Sequence, residues 1–99
     1  MKTQVGKCWC VYLLECKDGT YYCGITINLQ RRVQQHNEGK ASKYTRSRLP
    51  VKVKAFKGWF TKSEALKLEL KIKSFRREQK ISMFQKTGWE RDGTENKIP

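Results

Sequence analysis

No apolar run in this sequence approaches the length that a membrane-spanning helix requires. The opening residues, MKTQVGK, lack the apolar stretch of a signal peptide. The expectation is a cytoplasmic chain whose thiols stay reduced. Internal repeats are absent as well. The four cysteines, Cys8, Cys10, Cys16 and Cys23, lack paired C-x-x-C knuckles and fall inside expected strands. That disfavours a zinc or redox centre and assigns them the role of small buried hydrophobes. Acidic residues are scarce, nine against 22 Lys and Arg, for a formal net charge of +13.

Ninety-nine residues make one domain, 1–99, with a modest single core. Hydrophobic residues make up only 37%, but eleven aromatics among them allow a compact fold. The positive charge is unevenly placed: +1 over residues 1–27, +8 over 28–57, +5 over 58–86 and −1 over 87–99. A basic field concentrated in this way draws polyanions, chiefly nucleic acid, by phosphate neutralisation and counterion release. A solvated lysine-rich surface or a ribosome-associated protein has the same composition.

WCVYLLEC, residues 9–16, is apolar on both faces and rich in β-formers, so it reads as a central strand. KDGT then signals a hairpin, and TYYCGI is the return strand. Asn28 is a good N-cap for a helix over Leu29–Asn37, with Gly39 near its end. GKASKYTRSRLP is polar and turn-rich and reads as a loop. VKVKAFKGWF alternates in its first half, as a third strand with one wet face should. T-K-S-E opens a further helix as a capping box, running to about Phe75. RREQKISMFQKTG reads as a last short helix packing Ile81, Met83 or Phe84. The order β-β-α-β-α-α implies an α+β fold, a three-stranded, largely antiparallel sheet flanked by helices. Its core covers about residues 8–85, and 87–99 reads as a disordered tail.

Two polar positions fall on faces that ought to be apolar. With Leu29 at zero and about 100° per residue, Val33, His36 and Arg32 lie within about 60° of it, while Arg31 points away. Arg32 and His36 therefore share the core-facing side of that helix. In the next one, Leu68, Ile72 and Phe75 form a stripe with Ala65, and Glu69 falls beside it. A carboxylate there is costly unless paired, hydrogen-bonded or metal-bound. An ion pair with Arg32 or Lys73 satisfies it, and so does a cation. Tyr12, Tyr21 and Tyr22 alone would be ordinary strand residues, and His36 alone an ordinary core residue. Taken together, tyrosine, arginine, histidine and glutamate in a polyanion-binding chain suit phosphodiester hydrolysis. That chemistry needs an activated water, charge neutralisation and help for the leaving oxygen. A single carboxylate holds at most one Mg²⁺. A phenol serves as base only if cationic neighbours or metal-bound water lower its pKa.

These motifs resemble the GIY-YIG endonuclease superfamily, in particular its small single-domain bacterial members. Cys10-Val11-Tyr12 resembles the first motif and Tyr22-Cys23-Gly24 the second. NLQRRVQQHN resembles the arginine motif and EALKLELKIK the glutamate helix. Cys10 stands where the family name has glycine, and Cys23 where it has isoleucine. The resemblance implies metal-dependent cleavage of nucleic acid, DNA before RNA, with Mg²⁺ or Mn²⁺ as cofactor. It implies that Tyr12 is the general base or positions the water, and that Tyr22 lines the same site. It assigns Arg32 as the catalytic arginine, His36 as a catalytic residue at the position where the family carries histidine or tyrosine, and Glu69 as a catalytic residue and the metal ligand. Gly24 would allow close approach of strand and helix. Lys43, Thr45, Arg46, Arg48 and Lys73 would track the phosphate backbone. The alternative is a non-catalytic DNA- or RNA-binding module of the same fold.

Overall fold

The computed structural model of the chain describes residues 7–86, and the expected tail over 87–99 lies outside them. Its elements are β1 (Trp9–Glu15), β2 (Tyr21–Thr26), α1 (Leu29–Asn37), α2 (Lys43–Arg46), β3 (Lys52–Phe60), α3 (Lys62–Lys73) and α4 (Arg77–Lys86). The strands form one antiparallel sheet in the order β2-β1-β3. The fold is α+β, as expected. One segment differs: the stretch read as a loop contains α2. Four residues are too few to show apolar periodicity, and the helix instead depends on Ser42, whose hydroxyl accepts from the Tyr44 amide.

β1 is apolar from Trp9 to Leu14 because it is covered on both faces. Val11 and Leu13 join Cys23, Ala65, Ile72 and Phe84 in a core under α3 and α4. Tyr12 and Leu14 join Cys16 and Val51 on the opposite face, where Leu29 and Val33 of α1 pack. Burying one leucine of this size stabilises the fold by about 1.5–3 kcal/mol. Ile81 and Met83 of α4 pack at the edge of the first core, so this helix is held by all three expected side chains. Cys10, Cys16 and Cys23 are buried and Cys8 is exposed; all four are free thiols.

Local chemistry sets the boundaries. The hairpin turn closes through Gly19 N–H to the Cys16 carbonyl at 2.9 Å, with Gly19 at φ 84°. The Asp18 carboxylate accepts from both the amide and the hydroxyl of Thr20. Asn28 caps α1 by accepting from the Arg31 amide at 3.0 Å. Thr61 and Glu64 form the reciprocal capping box of α3. The side-chain amide of Asn37 clamps the end of α1 to the entry of β3. It donates to the Val51 carbonyl at 3.1 Å and accepts from the Val51 amide at 2.7 Å.

β3 departs from simple alternation. Its register against β1 shifts between Leu13 and Leu14 and again between Trp9 and Cys10. Each shift lets two β3 residues face one on β1 and re-aims the side chains that follow. Ala55 and Phe60 pack towards the α3–α4 core. Val53, Phe56 and Trp59 are left exposed.

Candidate active site

Register pairs Tyr12 with Gly24 and Leu14 with Tyr22, which puts both tyrosines on the sheet face covered by α1. The ring of Tyr12 lies directly over Gly24. A Cβ at Gly24 would stand 2.5 Å from the Tyr12 hydroxyl and 2.6 Å from Cζ. The expected close approach at Gly24 thus exists, but its partner is the Tyr12 ring rather than a helix backbone.

α1 delivers His36 to the same place, 1% exposed. His36 Nε2 is 3.0 Å from the Tyr12 hydroxyl, and Nδ1 is 2.8 Å from Thr45 Oγ1. Thr45 in turn donates to the Ser42 carbonyl at 3.4 Å. The network sets the tautomer: Thr45 accepts from Nδ1–H, leaving Nε2 to accept from the Tyr12 O–H. Burial and the nearby Arg32 charge hold the His36 pKa down at about 4, so the imidazole is neutral. Tyr12 is driven above the ordinary phenol range, first by burial and then by Tyr22. This reverses the expected lowering, because Arg32 opposes burial without overcoming it.

Arg32 is half-buried and Arg31 exposed, as helical spacing expects. Among the described residues the Arg32 guanidinium has no hydrogen-bond or ion-pair partner, while its field reaches both Tyr12 and His36. Tyr22 packs edge-on against His36, ring centroids 5.1 Å apart, and stacks on Tyr44 at 6.0 Å. Tyr44 and the inward role of Thr45 are the two features that the sequence does not single out. The one available signal is Ser42 as an N-cap, which turns Thr45 towards α1.

A family model described as the GIY-YIG catalytic domain matches residues 8–82. The chain belongs to the GIY-YIG family. A UPF0213 protein of Halobacterium salinarum is 49% identical over 74 residues, 75% of this chain and 96% of that one. A UPF0213 protein of Streptococcus pneumoniae is 49% identical over 70 residues, 71% of each. Two solution NMR structures are similar. The UPF0213 protein of Bacillus halodurans is 39% identical with a TM-score of 0.50, covering 81% of this chain and 85% of that one. A protein of E. faecalis is 32% identical with a TM-score of 0.58, covering 90% and 93%. Membership of a nuclease family implies a nucleic-acid partner.

Glu69, the metal ligand that the resemblance implies, sits on α3, on the far side of the sheet from α1. Its side chain is 15% exposed and pairs with Lys73 at 3.1 Å, one helical turn on. This is one of the two ion pairs the sequence allows. Burial works against the Lys73 charge, but Glu69 outweighs it and raises the Lys73 pKa. The Lys73 ammonium also lies 5.8 Å from the centre of the Tyr22 ring, linking the pair to the tyrosine face. Among the described residues no three His, Cys, Asp or Glu side chains cluster to hold an ion. One half-buried carboxylate fits Mg²⁺ or Mn²⁺ that keeps most of its waters and takes substrate phosphate oxygens, in competition with Lys73.

The basic residues separate. Lys43 and Arg46 are exposed on α2. Arg48 is committed: it bonds Asp18 at 3.0 Å and the Tyr44 carbonyl at 2.8 Å, and covers the Tyr44 ring at 3.9 Å. Thr45 corrects the sequence expectation, because it is fully buried against His36 and cannot reach a phosphate backbone. The thiols of Cys10 and Cys23 are pushed up to about 11 and about 12 by burial, which makes them inert rather than nucleophilic. Among the described residues no helix is long and apolar enough to cross a membrane.

Proposed function

We propose that this chain is a divalent-metal-dependent endonuclease that hydrolyses phosphodiester bonds in DNA, structured or damaged DNA included. The observation that carries the proposal is the hydrogen-bonded line from Tyr12 through His36 to Thr45, with Arg32, unpaired among the described residues, at its side. A phenol with a raised pKa is a poor base alone. Coupled to a neutral imidazole, it need never hold a full negative charge. The attacking water gives its proton to Tyr12 Oη while the Tyr12 proton passes to His36 Nε2. Thr45 keeps the Nδ1–H fixed, so that Nε2 is the open acceptor. Arg32 takes the non-bridging phosphate oxygens in a bidentate grip. A bound phosphate offsets the Arg32 charge that depresses His36, and the imidazole becomes more basic once substrate is present. Glu69 would hold a divalent ion, which when bound would supply further neutralisation of phosphate charge.

One observation favours a non-catalytic binding module instead. The Glu69–Lys73 pair satisfies the half-buried carboxylate without any cation. The two readings separate in a cleavage assay on single-stranded, duplex and branched DNA and RNA with Mg²⁺, Mn²⁺ or EDTA. Cleavage that requires metal and disappears in Glu69→Ala and Arg32→Ala, with binding retained, is expected for the nuclease. Binding without cleavage on every substrate would sink it and leave Glu69 as an ion-pair residue.

A further inference from the structure

β3 is an edge strand, and the apolar side chains on its Tyr12 side are uncovered. Phe56 stands opposite Tyr12 in the β1–β3 register, and Val53 opposite Leu14. The Tyr12 ring leans over Gly24, towards β2, so it does not shelter Phe56. Phe56 is 44% exposed, Val53 39% and Trp59 55%. Single exposed hydrophobics are ordinary; three on one nine-residue strand beside a candidate site form a patch.

The charges on the same strand select the occupant. Lys52 and Lys54 are exposed on either side of Val53, and Lys52 reaches Glu15 at 3.8 Å while its side chain stays 78% exposed. A second copy pairing along this edge would set lysines against lysines, which antiparallel pairing disfavours. An apolar peptide offers no negative charge to the exposed Lys52 and Lys54 ammonium groups. A ligand with flat apolar faces and a regularly spaced negative backbone satisfies both. Unpaired nucleotides have that character, whereas a duplex buries its base faces in its own stack.

We propose that β3 is a stacking platform for unpaired bases, with Phe56 and Trp59 taking base faces and Lys52 and Lys54 the adjoining phosphates. It directs single-stranded or locally unpaired nucleic acid to the Tyr12 face. This rests on that face being the one that handles phosphate. Since Phe56 and Tyr12 are direct cross-strand neighbours, a base on Phe56 lies one strand away from the Tyr12–His36 pair.

The test is binding in EDTA, measured by anisotropy of a labelled oligothymidylate and of a duplex of equal length. Phe56→Leu and Trp59→Leu keep apolar area but lose the π face, and circular dichroism checks that both fold. Each is expected to weaken oligothymidylate binding roughly tenfold while changing duplex binding little. The part of the tryptophan emission that Trp59→Leu removes should be quenched by oligothymidylate, and Phe56→Trp should retain affinity. Equal losses on both ligands, no loss on either, or no single-strand binding by the native protein overturns the platform. So does a sedimenting dimer that Phe56→Leu dissociates, since it makes β3 a self-interface. Cleavage in Mn²⁺ is scored separately. A protein that cleaves DNA but ignores Phe56→Leu overturns the platform alone. Stacking without cleavage on any substrate overturns the nuclease alone.

Discussion

The Tyr12 hydroxyl lies 3.0 Å from His36 Nε2, inside a layer where neither residue is more than 2% exposed. These two groups come from a strand and a helix 24 residues apart, and a third, Thr45, fixes their orientation. Replacing Thr45 by valine keeps its shape and removes the acceptor of Nδ1–H. The orphaned donor should cost about 1–3 kcal/mol of stability. Imidazole ¹⁵N shifts should show the loss of a single tautomer, and Thr45→Ser should restore it. Unchanged shifts in Thr45→Val would show that Thr45 does not position the ring.

Folding lowers the His36 pKa from near 6.5 to about 4. Between these values the unfolded chain binds the proton that the folded chain refuses, so stability rises with pH across that window. The contribution is complete above about pH 6.5 and is lost as pH falls through about 4, on the order of 3 kcal/mol in all. Urea titrations from pH 7.5 to 4 should show this slope, and His36→Gln should flatten it. Because His36 is the sole histidine, its own NMR titration gives the folded value directly.

Gly24→Ala places a methyl group 2.5 Å from the Tyr12 hydroxyl and 2.6 Å from Cζ, well inside van der Waals contact. The ring is buried and hydrogen-bonded at its tip, so it cannot swing clear cheaply. The substitution should destabilise the fold by about 1–3 kcal/mol. Tyr12→Phe should not rescue it, since Cζ stays too close. A midpoint equal to that of the native protein in urea would contradict the packing.

Lys73 occupies the carboxylate that a cation would use. Lys73→Met should tighten Mn²⁺ binding several-fold, read by electron paramagnetic resonance, while Glu69→Gln abolishes it. Stability should change by less than about 1 kcal/mol in Lys73→Met, because helical i,i+4 pairs contribute little. Weaker Mn²⁺ binding in Lys73→Met would mean that the lysine supports the ion rather than displacing it.

Lys43 and Arg46 are exposed and unlike Arg48, whose guanidinium is bound to Asp18 and Tyr44. Lys43→Ala and Arg46→Ala should each reduce the slope of log affinity against log salt by about one, with stability unchanged. Arg48→Ala should instead lower stability, by loosening Tyr44 and the Asp18 turn. Salt titrations of DNA binding beside thermal melts separate the two classes.

Much of the architecture was legible in the chain because its signals are local. Asn28, the Asp18–Gly19 turn and the Thr61–Glu64 box act within four residues of themselves, so their elements can be read from composition and spacing. Helical periodicity likewise separates Arg32 from Arg31 and brings His36 to the inner face. α2 has no such signal, and Thr45 accordingly reads as a phosphate contact although it is buried. The strand pattern over Lys52–Phe60 gives no hint of the two register shifts that leave Phe56 exposed.

The sequence by itself determined the order of elements, the central place of β1, the basic field, and which face of α1 turns inward. Only the tertiary structure decided who meets whom: Tyr12 with His36, His36 with Thr45, Glu69 with Lys73. The reason is physical. Secondary structure follows from interactions a few residues apart, whereas pKa shifts and pairings follow from burial and from charges that topology brings together across the whole fold.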